Sequence, residues 1–367
     1  MYDVAIVGAG PAGATLARLL GPRYRVLLAD RRPLDRPPVD GAPGKVCGGL
    51  LAPAAQAELA RQGLGVPGHV ITGPQLFAVR TLDLSANLER IYQRFYVNID
   101  RELLDRWLVS LVPASVDRVF GWSLHHLERD ANGAFLRFRT AECGSAGIRA
   151  KLVVGADGAS SLVRRLAFPN SPVPARYTSM QATCAVGDAE PFYGAIFDAR
   201  HTDFYGWTIP KGDRLLFGAA FRSGRGAQAR FDAFAEQISA SGVNLGREIE
   251  RSSAAILRPM RMLELAPGAE EVLLAGEAAG FISPSSAEGI SYALRSGSAL
   301  ADALAPGLPG ADVRYRAAVV PLALEIGRKA AKSAMIHQPA IRGLIMRSGI
   351  GAIVTVPAPA KLRPLSL

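Results

Sequence analysis

Hydrophobic and polar positions alternate along this chain in blocks, not in two consecutive halves. Val4–Ala5–Ile6–Val7 is an apolar strand signal, Ala14–Leu20 is patterned as a helix, and Arg25–Val26–Leu27–Leu28–Ala29 returns to strand before Asp30. Residues 54–63 read as a short helix. Residues 68–97 hold strand pieces, including Leu76–Phe77–Ala78–Val79 and Phe95–Tyr96–Val97. Asp100 then suits the N-cap of an amphipathic helix running from Arg101 through Leu111. After the strand Leu152–Val153–Val154, a helix starts around Val163–Arg164–Arg165. From Tyr177 to Phe221 come short strands rich in aromatic and β-branched residues: Phe192–Phe197, Phe204–Ile209 and Leu215–Phe221. These predict an antiparallel sheet forming a separate layer, with residues 231–241 as a flanking helix. Val272–Leu273–Leu274–Ala275 resumes the first pattern, and another helix follows to about Leu304. From Val313 the pattern is mostly helical, ending in the Pro-rich stretch 357–364.

Between the first strand and helix lies Gly8–Ala9–Gly10–Pro11–Ala12–Gly13. Strand, glycine turn, helix, strand and an acidic residue roughly 20 residues past the glycines make a dinucleotide-binding βαβ unit. Gly8 permits the tight turn, Gly10 lets backbone N–H groups approach a pyrophosphate at the positive end of the helix, and Gly13 allows close helix–strand packing. Asp30 is placed to accept from a ribose hydroxyl. The long Pro- and Gly-rich loop 31–53, ending Gly44–Lys45–Val46–Cys47–Gly48–Gly49–Leu50–Leu51, reads as functional because such loops are uncommon in compact domains.

The 367 residues, 49% of them hydrophobic, suffice for two domains or for one with a large insertion. Cys47, Cys143 and Cys184 fall at unrelated spacings, which indicates neither a disulfide framework nor a zinc site. The chain enters its first strand at once and has no long charge-free apolar span, so a cytoplasmic location is expected. The net charge of +10 favours anionic partners, although no nucleic-acid-binding motif accompanies it.

Three segments taken together resemble the FAD-contacting motifs of glutathione-reductase-type flavoproteins, the superfamily of aromatic hydroxylases, flavin halogenases and geranylgeranyl reductases. They are GAGPAG, VVGADGASSLVRR and LLAGEAAGFISPSSAEGI, in the family's order and approximate spacing. The resemblance implies noncovalent FAD on a Rossmann-like α/β domain (1–70, 98–170 and 255–305), an antiparallel-sheet substrate domain (71–97 and 171–254) and a helical C-terminal region (306–367). It carries cofactor contact to Gly8, Gly10, Pro11, Ala12, Gly13, Asp30, Asp157, Gly158, Gly276, Glu277, Gly280 and Gly289, and to Arg101 as an arginine close to the flavin. Glu277 stands where the family usually has Asp, so the acceptor for a ribityl hydroxyl sits on a longer arm. The helix N-terminus after it is expected to stabilise negative charge on reduced flavin. Read without the resemblance, Asp157 is a turn residue and Arg101 a surface charge.

Cys47–Gly48–Gly49 and Tyr205–Gly206–Trp207–Thr208–Ile209–Pro210–Lys211 resemble the CGG and YxWxFPK segments of the geranylgeranyl-reductase branch, with Ile209 in place of Phe. Tyr205 and Trp207 then line an apolar pocket from one strand face, and Cys47 shapes or assists the protonated side of the substrate. The bland alternatives are sheet core for the two rings and a small buried residue for Cys47. The expected reaction is reduction of carbon–carbon double bonds in an apolar, polyprenyl-like substrate. Hydroxylation of an aromatic, carrier-bound or peptide-borne substrate is the second reading. Halogenation, with Lys45 as the lysine near the flavin loop, and non-catalytic flavin or lipid binding rank lower. No second glycine fingerprint is present, so electrons are expected from transiently bound NAD(P)H, a flavin reductase or a ferredoxin. At the C-terminus Arg342, Arg347, Lys361 and Arg363 punctuate the apolar segments Leu344–Ile345–Met346 and Ile350–Val354. That pattern suits either peripheral contact with an anionic membrane or a helix that closes the substrate cavity.

Overall fold

The computed structural model describes residues 1–37, 45–130, 133–140, 144–187 and 189–353. Two eight-stranded sheets organise them. In the first, the strands Val272–Leu274, Ser145–Gly155, Tyr2–Val7, Val26–Asp30 and Asp117–Phe120 lie side by side and run parallel. Tyr2–Val7 and Val26–Asp30 are apolar nearly throughout because helices cover the sheet. The early half of Ser145–Gly155 projects beyond the parallel core, where it pairs with an antiparallel extension, Gly133–Arg139 and then Ser123–Asp130. Helices Pro11–Leu20 and Ile290–Leu304 pack so closely that a Cβ at Gly297 would lie 2.7 Å from the carbonyl of Ala12.

The second sheet runs Arg247–Arg258, Ala175–Ala185, Arg214–Arg222, Gly206–Lys211, Tyr193–Phe197, Leu76–Asp83, Leu88–Asn98 and Leu50–Leu51. The aromatic-rich segment therefore forms a sheet as its composition predicts, and the end of the loop after Asp30 contributes an edge strand that composition did not reveal. Strand alternation gives this sheet two apolar faces. On the outer face Phe217 and Phe221 meet Phe231, Phe234 and Ile238 of the helix Ala227–Ala240. On the inner face Tyr177, Phe197, Tyr205, Trp207 and Ile209 form a separate cluster that reaches Leu50, Tyr96, Ala287 and Ile336. Gly206 serves both faces: a Cβ there would stand 2.2 Å from the Phe234 ring, while its neighbours Tyr205 and Trp207 point inward.

The C-terminal region folds as Ala311–Ala318, Val320–Ile336 and Pro339–Ser348. Arg342 corrects one expectation. It is not a surface cation but is buried, with its Nε 2.7 Å from Oδ2 of the equally buried Asp83. The 259-residue separation hid this pairing from the sequence. Leu344, Ile345 and Ile350 are exposed, whereas Met346 of the same apolar segment is buried. Lys361, Arg363, Val354, the stretch 357–364 and Cys143 lie outside the described residues. No helix among the described residues is long and apolar enough to cross a membrane.

Candidate active site

The glycine turn sits at the C-terminal end of the central parallel strand, between Ala29 and Ala156, with Gly8 N–H donating to Ala29 O and Ala156 N–H to Val7 O. Gly8 has φ +105°, and any side chain there would strike the Ala156 carbonyl at 2.3 Å. A Cβ at Gly13 would lie 1.8 Å from the carbonyl of Gly8. Gly10 differs from both: nothing lies within 4 Å of a Cβ built there. Gly10 is the N-cap of Pro11–Leu20, Pro11 fills the first helical position, and no side chain caps the helix. The N–H groups of Ala12 and Gly13 thus lack intrahelical partners and border open space, the arrangement that receives a pyrophosphate.

Asp30 ends the second strand and is buried. Its Oδ2 accepts from Ala9 N–H at 2.7 Å, which pins the glycine turn, and its Oδ1 accepts from Arg32 N–H at 2.8 Å and from Arg32 Nε at 3.2 Å. The carboxylate expected to meet a ribose is therefore already committed within the protein. Arg32 continues to Asp105, at 2.7 Å, which in turn pairs with Arg101. Asp105 is fully enclosed, and its charge is sustained chiefly by these two guanidinium groups, with a further contribution from Lys45. Burial opposes the charge on Arg101, but Asp105 more than offsets it and leaves the arginine more basic than usual. Arg101 is thus an enclosed cation at the start of Arg101–Ser110, a helix capped by Asp100, whose carboxylate accepts from Leu103 N–H. The surface-charge reading of Arg101 does not hold.

Lys45, Glu277 and Asp157 complete the cleft. Lys45 interacts electrostatically with Arg101, Asp105, Arg32 and Glu277, while burial and the two arginines lower its pKa. Glu277 accepts from Leu257 N–H at 2.8 Å, and desolvation raises its pKa to about 7. The Lys45 side chain is exposed at the surface, whereas Glu277 is half-buried below it. Asp157 Oδ2 accepts from Leu162 and Val163 N–H, whereas Oδ1 is enclosed without a partner, and burial raises the pKa. Asp157 is a turn residue and an unmatched acceptor at once. Gly158, with φ +76°, and Gly289 both leave room for a side chain; at Gly289 only Ile282 is near, at ordinary contact distance. Gly276 (φ +59°) and Gly280 (φ +84°) shape the turn that carries Glu277. The helix Ile290–Leu304, whose N-terminus is expected to face flavin, has one of its first N–H groups, that of Ser291, taken by Glu288, which also accepts from Ser291 Oγ.

A cradle open at Gly10, unpaired helix N–H groups, an unmatched carboxylate oxygen at Asp157 and recessed cations fit an adenine dinucleotide. Toward the second sheet, a Cβ at Gly48 would meet Ile209 Cδ1 at 2.5 Å, and one at Gly49 (φ +60°) would meet Lys211 Nζ at 2.7 Å. Lys211 donates to the carbonyls of Gly49 (3.0 Å) and Ile99 (2.7 Å) and to Asn98 Oδ1, and burial lowers its pKa to about 8. The two short segments singled out in the sequence are therefore in contact, glycine against side chain. Cys47 is a free thiol, part-buried, whose Sγ accepts from Gly49 N–H at 3.5 Å, with Arg101, Lys211 and Tyr205 in its neighbourhood. Tyr205 precedes its strand by one residue, and its ring lies 5.8 Å from that of Trp207. Tyr193 donates to the Tyr205 hydroxyl, which donates to Ser286 O at 2.7 Å. Both rings are buried within the inner cluster, where they pack as sheet core. Arg32, Asp105, Tyr193 and Lys211's anchoring were not singled out in the sequence; only the last had a signal, in the terminal Lys of its motif.

The chain belongs to the family described as FAD binding domain, which matches residues 78–315, and is an FAD-dependent oxidoreductase. Among curated proteins it is 40% identical to Protein CbrA of Escherichia coli over 354 residues, covering 96% of this chain and 94% of that one. The match to Protein CbrA of Shigella sonnei is also 40% over 354 residues, covering 96% and 98%. Among solved structures the fold is similar to a geranylgeranyl bacteriochlorophyll reductase-like protein from Thermoplasma acidophilum, with TM-score 0.78, 20% identity, and 94% and 90% of the two chains covered. It is also similar to PqsL, a probable FAD-dependent monooxygenase from Pseudomonas aeruginosa, with TM-score 0.67, 20% identity and coverage of 95% and 99%.

Proposed function

We propose that this oxidoreductase reduces carbon–carbon double bonds of an apolar, polyprenyl-like substrate lying between the Cys47–Gly49 segment and the inner face of the second sheet. The observation that carries this reading is the seating of Gly48 on Ile209 and Gly49 on Lys211, which joins the flavin-side loop to an aromatic wall. Bound, reduced FAD supplies the hydride; it is held through the N–H groups at Gly10–Gly13, with Arg101 and Lys45 as nearby cations. Tyr205, Trp207 and Ile209 exclude water and orient the apolar chain. Cys47, with Arg101 and Lys211 nearby, lies on the side where the second carbon takes up its proton. Lys211 spends its donors on Gly49, Asn98 and Ile99, so it positions the loop and is not itself the proton source. Lys45 has its electrostatic neighbours in the cofactor cleft, away from the aromatic wall, which disfavours halogenation. The larger overlap with the reductase-like fold supports the same reading as a matter of architecture.

The test is turnover of geranylgeraniol and geranylgeranyl diphosphate by dithionite-reduced holoenzyme without oxygen, followed by mass spectrometry. The expected product gains the mass of two hydrogens per double bond. A product that gains one oxygen atom, formed only in air, would make the chain a monooxygenase instead.

A further inference from the structure

One rank of residues on the inner face of the second sheet holds two polar groups that the fold leaves unmatched. Trp207 pairs across the sheet with Gly218, and Gly218 pairs with Gln181 on the next strand. Residues in such register lie side by side on one face. Trp207 identifies it as the inner face. Gly218 has no side chain, and the indole occupies that place: a Cβ at Gly218 would stand 2.4–2.5 Å from Trp207 Cε2, Cζ2 and Nε1. The indole N–H is thereby carried over Gly218 toward the strand of Gln181. Trp207 Nε1 and Gln181 Oε1 are both enclosed and without a hydrogen-bond partner, in residues only 8% and 7% exposed. Adjacent strands lie ~4.8 Å apart, so the indole N–H over Gly218 is within reach of the neighbouring Gln181 side chain, yet the two groups make no direct bond.

Native proteins rarely leave a buried donor and a buried acceptor unmatched. The indole can only donate, and the amide oxygen can only accept. A single atom that satisfies both must accept from one side and donate to the other, which is what a hydroxyl does. A carboxylate or phosphate has no proton for Gln181 and would set a negative charge against its oxygen.

We propose that Trp207 and Gln181 form a two-point subsite for the hydroxyl group of a neutral, otherwise apolar substrate. This rests on reading the inner face as the substrate wall. The pair selects an alcohol or phenol over the corresponding ether, acid or diphosphate.

Geranylgeraniol, its methyl ether and geranylgeranyl diphosphate, titrated into the oxidised holoenzyme and followed through the flavin absorbance, test the assignment. The alcohol is expected to bind about 10-fold more tightly than the ether, as loss of one donated hydrogen bond to a buried acceptor implies. Gln181→Leu should erase that preference by weakening the alcohol and not the ether, and Trp207→Phe should weaken both. Flavin content and melting temperature report folding; where Gln181→Leu lowers them, Gln181→Glu serves, retaining an acceptor and rejecting the diphosphate further. Equal binding of alcohol and ether by wild type would overturn the subsite and leave the wall standing, with a water joining the pair. Tightest binding of the diphosphate would do the same. If none of the three perturbs the flavin, the substrate-wall reading fails and the subsite falls with it.

Discussion

Glu277→Gln gives the sharpest test of the cofactor cleft. Moving the carboxyl pKa from its ordinary 4.5 to about 7 means that the fold disfavours the ionised form by ~3 kcal/mol. Because Glu277 keeps some solvent access, screening reduces this to about 2 kcal/mol. The native state holds the proton more tightly than the unfolded chain, so this group makes stability fall as pH rises from about 4.5 through 7, and the loss is complete above 7. Glutamine cannot ionise, and its carbonyl still accepts from Leu257 N–H. The variant should therefore match wild type near pH 5 and melt higher at pH 8.5. With an unfolding entropy of about 2.1 cal/mol/K per residue, the difference is on the order of 3 °C. Differential scanning fluorimetry of flavin-extracted protein across that range reads it directly. Subtracting the two proteins cancels titrating groups not coupled to Glu277, including His337, whose pKa burial lowers to about 4. In the FAD-bound form a hydroxyl donated to the carboxylate lowers the pKa, and the pH-dependent gap should narrow. A gap that is constant with pH in the flavin-free form would refute the placement of Glu277 in a desolvated site.

Gly10→Val should leave folding intact, since no protein atom is near the new side chain, yet yield colourless protein; the ratio of flavin to protein absorbance checks it. Tyr205→Phe removes the hydrogen bond to Ser286 O and should lower stability by about 1 kcal/mol while reducing turnover more than flavin content, whereas a purely structural ring would lower stability alone. Arg342→Ala leaves Asp83 buried without its cation and should destabilise by about 3–5 kcal/mol in urea denaturation, with much of the loss recovered in the Asp83→Leu, Arg342→Met pair. Flotation with anionic liposomes should show salt-sensitive binding, lost on replacing the exposed Leu344, Ile345 and Ile350 with Ser; absence of binding would leave Pro339–Ser348 as a packing element.

Local features were legible in the sequence because their causes are local. The glycine turn, the cap of Asp100 on Leu103 and the helix ending at Leu304 each depend on a few adjacent residues. The aromatic alternation from Tyr205 announced a sheet, though not that Gly206 would seat Phe234 on its far side. What escaped were pairings set by topology. Arg32 meets Asp105 across 73 residues, and Lys211 meets Gly49 across 162, contacts for which neither periodicity nor composition carries a trace. The commitment of Asp30 to Ala9 and Arg32 escaped for the opposite reason: the fingerprint assigns an acid to a ligand and is silent about the protein's own claims on it. The claim of Glu288 on the Ser291 N–H is of the same kind.

The double duty of Tyr205 and Trp207 bears on how such an enzyme changes over generations. Under the proposed function, the residues that would shape the substrate also hold the second sheet together, and the indole already fills the place left by Gly218. A substitution that widens this floor would weaken the fold before it opened a new chemistry. Diversification of substrate range is therefore expected in what meets the floor, such as the turn of Ser286 and Ala287, more than in the floor itself. Lineages sharing this architecture should keep their floors and differ in their ceilings.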